Sequence, residues 1–187
     1  MLTEKNKLGM LLFISSETIF FALLILAYLY FQGVAAGSDG PTAASSLDPL
    51  TTGIFSLFLF ASSFTIWRAD RNLARQNRKG LLLWLLATIG LGLIFLAGQG
   101  LEWRQLISQG TTVSRNLFGT TFFTLTGFHG FHVLVGLVAL AIVAGLAWAG
   151  DFKGPKSSAV ESISLYWHFV DVVWVVIFSV IYLRILL

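Results

Sequence analysis

Five long apolar runs, separated by short polar segments, make up most of this chain. Runs of this length are typical of transmembrane helices, because lipid offers no hydrogen-bond partner to backbone groups outside a helix or a closed barrel. The fourth run is so long that it must tilt or project from the membrane, whereas the second is short. The pattern predicts an all-α integral membrane bundle of five helices, forming one domain over residues 1–187. The predicted helices are 8–31, 50–67, 81–101, 117–149 and 163–183.

Composition narrows the class of protein further. Apolar residues make up 56% of the chain and charged residues only 11%, whereas a soluble domain carries about 25% charged residues. The chain has no cysteine, which excludes disulfides, thiolate metal sites and iron–sulfur clusters. The short polar start is followed by no small-residue cleavage site, so we expect the first helix to be retained rather than removed as a signal peptide.

The charges in the connecting segments predict the orientation of the helices. Segment 68–79 carries five basic residues against one aspartate, whereas segment 32–49 has none and carries Asp39 and Asp48. Basic loops stay on the cytoplasmic side, so the N-terminus is predicted inside, the C-terminus outside and segment 33–49 as an external loop. The inner basic residues are then Lys5, Lys7, Arg68, Arg71, Arg75, Arg78, Lys79, Lys153 and Lys156, and the outer ones are Arg104, Arg115 and Arg184. Because the basic residues follow topology, the sequence predicts no nucleic-acid partner.

Two carboxylates fall near the middle of predicted spans. Glu17 lies ten residues beyond Lys7, and Asp171 lies ten residues beyond Glu161, or roughly 15 Å in each case at the rise of an α-helix. A carboxylate at that depth needs a partner or a watery pocket. His168 precedes Asp171 by three residues and shares its helix face, so we expect the two to form a buried packing pair.

The other candidate residues are more ambiguous. His129 and His132 share a face of the fourth helix, and helix packing or lipid contact is a commoner role there than metal ligation. Gly127 and Gly130 would let a neighbouring backbone come close. Glu102 follows the third span and is expected at the membrane interface. A haem or copper site that joins these histidines to His168 is disfavoured, because counting from the inner ends places them at different depths.

Four motifs together carry a family resemblance. They are Ser16-Glu17-Thr18-Ile19-Phe20-Phe21, Gln99-Gly100-Leu101-Glu102-Trp103, Thr126-Gly127-Phe128-His129-Gly130-Phe131-His132-Val133 and Tyr166-Trp167-His168-Phe169-Val170-Asp171-Val172-Val173-Trp174. In this order they resemble subunit III of haem–copper terminal oxidases of the cytochrome c oxidase type. The five spans are similar to the short bacterial form, which lacks the first two helices of the longer members.

The resemblance implies an accessory subunit without redox chemistry of its own. Haem and copper belong to its partner subunits, and phospholipid is expected to bind this chain. The expected partners are oxidase subunit I, subunit II and a small subunit IV, in a bacterial inner membrane. No residue is predicted to be catalytic or to bind a cofactor or metal. The residues expected in subunit contacts, lipid contacts or hydrogen-bond networks are Glu17, Glu102, His129, His132, Trp167, His168 and Asp171.

Three alternatives stay open from the sequence. The first is subunit III of a quinol oxidase, since the two related subunits share a similar final motif. The second is a small proton-coupled transporter that uses Glu17 and Asp171, although the chain lacks an inverted repeat and broken helices. The third is a haem-anchoring membrane subunit of a dehydrogenase.

Overall fold

The computed structural model describes residues 2–35, 47–113, 117–152 and 154–183, and within these ranges it is helical without strands. Each of the five helices is long and apolar enough to cross a membrane, which confirms the predicted all-α membrane bundle. We label them α1 (Leu2–Ala35), α2 (Pro49–Ala74), α3 (Arg78–Ser108), α4 (Leu117–Ala149) and α5 (Ser158–Phe178). A π-helical turn, Ser179–Leu183, continues α5. Residues 36–46 of the predicted external loop, together with Arg115, Lys153 and Arg184, lie outside the described residues.

The α2–α3 connection is much shorter than the charge pattern predicted. The basic segment 68–79 was expected to be a loop, but α2 continues to Ala74 and α3 begins at Arg78. A helix can continue past the apolar span because arginine, alanine and leucine have good helix propensity. In this extension the guanidinium groups of Arg68 and Arg71 lie over the rings of Trp84 and Trp67. The turn itself contains Gln76 with a positive φ of 55°, and Asn77 caps α3 by accepting a hydrogen bond from the Gly80 N–H.

The opposite end of α2 is also capped. The Asp48 carboxylate accepts hydrogen bonds from the backbone N–H groups of Leu50 and Thr51, at 3.1 and 3.3 Å, and from the Thr51 hydroxyl at 2.6 Å. Such bonds satisfy donors that the first helical turn leaves free. The Thr51 hydroxyl bond favours the charged form most, and it lowers the pKa of the exposed Asp48 carboxyl below its usual value.

Helices α2 to α5 form the core of the bundle, and α1 packs on the outside of α4 and α5. Large side chains fill the core, and Trp167 and Trp174 of α5 are fully buried. Two glycines make room for Trp167, because a Cβ atom at Gly92 or Gly136 would lie 2.9 Å from its indole ring. Trp167 is therefore inserted between α3 and α4 at two positions where an added Cβ atom would crowd its ring.

The glycines of the third motif, Gly127 and Gly130, lie against side chains rather than against a neighbouring backbone. A Cβ atom at Gly127 would lie 3.2 Å from the Trp103 ring, and one at Gly130 would lie 2.9 Å from the Gln99 amide oxygen. Gln99 also donates a hydrogen bond to the Thr126 carbonyl at 2.8 Å. The expectation of close backbone approach at these two glycines was wrong, because α3 fills the space with the side chains of its own motif.

Candidate functional site: polar networks within the membrane-spanning helices

Serines of α2 accept hydrogen bonds from the two buried tryptophans of α5. The Trp167 indole N–H donates to the Ser62 hydroxyl, and the Trp174 indole N–H donates to the Ser56 hydroxyl, each at 2.8 Å. A buried indole N–H requires an acceptor, and in an apolar span a hydroxyl is one of the few side chains that offer one. We call the contacts of Ser56, Ser62 and Ser63 with α5 the serine interface.

The third serine joins the two polar residues of the α5 motif. The Ser63 hydroxyl donates to the Asp171 carboxylate, and the Ser63 oxygen lies 3.0 Å from Nδ1 of His168. Because that hydroxyl hydrogen goes to Asp171, the Ser63 oxygen is left to accept from His168, which places a hydrogen on Nδ1. Ser63 of α2 thus joins His168 and Asp171, the two residues expected to pack as a pair. Asp171 is 5% exposed, and its second carboxylate oxygen has no partner among the described residues.

A second network joins α1 to α4. Nε2 of His132 lies 3.1 Å from a carboxylate oxygen of Glu17. The other ring nitrogen of His132, Nδ1, lies 2.7 Å from the Phe128 carbonyl oxygen. The His132 carbonyl in turn accepts a hydrogen bond from the Tyr166 hydroxyl at 2.9 Å. His132 thus connects three helices.

The contacts of His132 constrain its protons. A carbonyl oxygen only accepts, so Nδ1 must carry the hydrogen that points at Phe128. The Nε2–Glu17 contact then holds one further proton, either on the ring in an ion pair or on the carboxyl in a neutral pair. In both forms the pair is neutral as a whole, which removes the cost of an isolated charge in hydrocarbon. The arrangement can hold or move a single proton between two atoms.

An open apolar groove runs beside this pair. Two adjoining cavities of about 430 and 410 Å³ share Phe13, Val135 and Tyr166 in their walls. The first contains Glu17 and His132, whereas the second is apolar and continues along α4. We call this space between α1, α4 and α5 the α1 groove. Its shape and its largely apolar lining suit a hydrocarbon chain that passes Glu17.

Glu102 belongs to a third polar contact. It lies six residues before the end of α3 at Ser108. Its carboxylate accepts hydrogen bonds from Thr52 of α2 at 2.7 Å and from Tyr182 of the π-helical turn at 2.8 Å. Glu102 therefore ties three segments of the bundle together at that end.

His129 lies apart from these networks. It is fully buried, stacks on the Trp174 ring at a centroid distance of 4.8 Å, and meets the Phe95 ring edge-on at 5.9 Å. Neither ring nitrogen has a hydrogen-bond partner within the described ranges. Both histidines meet the Phe21 ring of α1, but His129 packs mainly on rings of α3 and α5, whereas His132 also contacts Glu17.

The expectation that the histidines of α4 and α5 lie at different depths was wrong. The Tyr166 hydroxyl reaches the His132 carbonyl, and Gly136 packs against Trp167, so His132 and His168 lie at nearby levels. Counting residues from the inner ends of the two helices gave the wrong depths because α4, as its length required, projects beyond the level at which α5 begins. The two rings nevertheless face different helices. Within the part of the chain that the structure describes, no three His, Cys, Asp or Glu residues are grouped so that they could hold a metal ion.

Comparison with known proteins identifies the family. A sequence model of the family described as cytochrome c oxidase subunit III matches residues 1–185. A protein named probable cytochrome c oxidase subunit 3 from Mycobacterium leprae is 37% identical over 174 residues, covering 93% of this chain and 85% of that protein. Cytochrome c oxidase subunit 3 from Synechocystis is 37% identical over 179 residues, covering 94% and 74%. The chain belongs to the cytochrome c oxidase subunit III family. It is an integral membrane protein of a family that forms part of an oxidase complex.

The motifs that carried the resemblance to subunit III are the ones that make the contacts described above. Their partners, however, were missed: the three serines of α2 and Thr52 lie in a span that carried no motif. Several serines and threonines in one apolar span were the available signal, because each needs a hydrogen-bond partner in lipid. Their spacing alone could not say which helix supplies it.

Proposed function

We propose that this chain is a cofactor-free accessory subunit of a proton-pumping respiratory cytochrome c oxidase in a bacterial inner membrane. On this proposal it packs against subunit I, with subunit II and a small subunit IV as further neighbours, and partner subunits carry the haem and copper. The names of its relatives favour cytochrome c over quinol as the electron donor of the complex. The main observation in support of a role for this chain in the complex is the α1 groove with its Glu17–His132 pair.

The groove supports a role in binding phospholipid. Its walls are aromatic and aliphatic, and it is open along the membrane-spanning part of the bundle. Its one strongly polar feature is the neutral Glu17–His132 pair, with Ser16 beside it. A bound lipid in this position would fill the space between α1 and the core and keep α1 in place. The pair then supports proton uptake indirectly, by holding lipid and α1 beside subunit I.

Affinity purification of the tagged chain in mild detergent tests its membership of the complex. We expect a haem-bearing partner to co-purify, with a Soret band in the absorption spectrum and oxidation of reduced cytochrome c. Faster oxidation of quinol than of cytochrome c would assign the chain to a quinol oxidase. Recovery of a stable chain without any haem-bearing partner would contradict the proposal.

The lipid role is tested by filling the groove. Ala139 lines the groove, so Ala139→Trp should lower the phospholipid retained per complex by about one molecule of the kind the groove holds. Val138→Trp is the matched control, because Val138 is exposed on the same helix and does not line the groove. Equal phospholipid content in the two variants, measured by mass spectrometry of lipid extracts, would argue against a lipid in the groove.

The orientation remains a proposal that labelling can test. We place the N-terminus and the α2–α3 turn inside, and the C-terminus and the end of α3 outside. Ala74 and Ser108 are exposed at opposite ends of the hairpin, so each is suitable for replacement by cysteine. In intact cells an impermeant maleimide should label Ser108→Cys but label Ala74→Cys only after permeabilisation. The reverse pattern would invert the topology.

A further inference from the structure

A stripe of aromatic and basic side chains runs along the outer face of the α2–α3 hairpin, away from the α1 groove. Phe64, Trp67, Arg68 and Arg71 follow the i, i+3, i+4, i+7 spacing of one helix face. The stripe changes from aromatic to basic towards the end of α2. Trp84 of α3 joins it, with its ring 6.2 Å from that of Phe64 and edge-on to it. We call these five residues the arginine stripe.

The two arginines of the stripe are held in place by tryptophan rings. Cζ of Arg68 lies 5.0 Å from the centre of the Trp84 ring, and Cζ of Arg71 lies 4.1 Å from that of Trp67. Such stacking uses the flat face of a guanidinium group and leaves its N–H edge available to an acceptor. The stacking also restricts the side chains in advance, so less rotamer freedom is lost when a ligand binds.

No carboxylate of the described residues neutralises these guanidinium groups. The ion pair found within the described ranges is that of Glu17 and His132, on other helices. Asp70 lies on α2 between the two arginines, but its carboxylate accepts a hydrogen bond from Ser164 of α5 at 2.6 Å, on the other side of the helix. Nε of Arg68 is buried and has no acceptor among the described residues. The stripe thus presents two ordered cations without a counter-ion.

The surroundings of the arginines indicate the chemistry of the missing anion. Phe64 is 55% exposed and Trp67 is 39% exposed, on a helix that is apolar enough to span a membrane. Tryptophans at the end of such a helix are typical of the membrane interface, the level of lipid phosphates. A guanidinium edge matches two oxygens of a phosphate. The exposed Arg75, Arg78 and Lys79 follow immediately, so the local charge favours a lipid with net negative charge over a zwitterionic one.

We propose that Arg68 and Arg71 bind the phosphate of an anionic phospholipid, whose acyl chains lie along Phe64 and Trp84. This site is separate from the α1 groove, which α1, α4 and α5 form. It does not depend on the proposed role of the chain in an oxidase, because it requires only the α2–α3 hairpin in a membrane.

Native mass spectrometry of the purified full chain, together with any subunits that co-purify, tests the proposal. The probes are phosphatidylglycerol and phosphatidylcholine with identical acyl chains, titrated in detergent. The unmodified protein should retain phosphatidylglycerol at least tenfold more tightly than phosphatidylcholine. The double variant R68Q/R71Q should lose most of that preference. R104Q, which removes an exposed charge from the other end of α3, should keep it.

Two further variants separate a site from general attraction. R68K/R71K keeps both charges but cannot pair with a phosphate through a planar edge, so it should bind phosphatidylglycerol several-fold more weakly than the unmodified protein while remaining folded. Thermal unfolding in detergent checks that each variant is intact. Unchanged lipid preference in a folded R68Q/R71Q protein, or an equal loss in R104Q, would overturn the proposal. Unchanged lipid binding with reduced recovery of a partner subunit would instead make the stripe a protein contact, which also overturns it.

Discussion

The serine interface and the α1 groove both lie between membrane-spanning helices, but they differ in how many hydrogen bonds and how much open space they contain. At the serine interface, three hydroxyl groups of α2 engage four polar or amphipathic side chains of α5, all of them at least partly buried. At the α1 groove, α1 meets the core through the Glu17–His132 pair and aromatic contacts such as Phe13 with Tyr166. Only Phe21 and Tyr28 of the described α1 side chains are fully buried.

The difference indicates that one contact fixes how the helices assemble, whereas the other leaves a helix free to adjust its position. In lipid, apolar surface gives helices little reason to prefer one another, so directional hydrogen bonds and close packing must fix the pairing. The serine interface supplies both, and it sets the register of α5 on α2. The contact of α1 includes the Glu17–His132 pair and leaves open space beside it. A helix attached in this way can adjust to a lipid without disturbing the core.

The largest effect is expected from removing the carboxylate at the serine interface. Asp171→Leu would leave the Ser63 hydroxyl without its acceptor and disturb the contact with His168. An unsatisfied buried hydrogen-bonding group typically costs about 1–3 kcal/mol, so we expect poor assembly and a lower unfolding temperature in detergent. The measurement is the amount of folded chain that co-purifies with its partners.

Asp171→Asn is the matched control for that experiment. It keeps the shape of the side chain and an oxygen that can accept from Ser63, so it should assemble better than the leucine variant. Normal recovery of Asp171→Leu would show that the Ser63 bridge does not stabilise the bundle. Equal failure of both variants would mean that the negative charge itself, rather than the hydrogen bond, is required.

A smaller effect is expected from the packing of α4 against α5. Gly136→Ala would place a methyl group 2.9 Å from the Trp167 ring. Overpacking of this kind typically costs about 1–3 kcal/mol, of which the better helix propensity of alanine offsets about 1 kcal/mol. Gly145→Ala on the same helix is the control, because a Cβ atom there would meet nothing within 4 Å. Thermal unfolding of the two proteins should differ, with only Gly136→Ala destabilised. If both unfold like the unmodified protein, Trp167 can move aside at little cost.

The sequence predicted the helices well and their contacts less well. Five apolar runs were enough for the spans, because length and hydropathy alone decide whether a segment can cross lipid. The end of α2 was misjudged because hydropathy marks the part of a helix that can cross lipid, whereas the helix itself continues through polar residues to Ala74. The contact of Ser63 with His168 and Asp171 was not predicted for a related reason. The i, i+3 spacing of His168 and Asp171 is visible in the sequence, but their shared partner on another helix is not.

The smallest effect is expected at the α1 groove. Nδ1 of His132 donates to Phe128, so Nε2 of the neutral ring accepts, and the amide N–H of Glu17→Gln can donate to it. This substitution removes ionisation while keeping the contact, whereas Glu17→Leu leaves Nε2 without a donor.

We propose that Glu17 organises lipid and hydrogen bonds rather than carrying pumped protons. In vesicles reconstituted with the purified complex, Glu17→Gln should keep the number of protons pumped per electron and lose at most a little activity during sustained turnover. Glu17→Leu should lose activity sooner, because it removes the polar contact of α1 with His132 of α4. Loss of pumping in Glu17→Gln with normal oxygen consumption would place Glu17 on the proton path, and the α1 groove would then be a route for protons rather than an adaptable lipid contact.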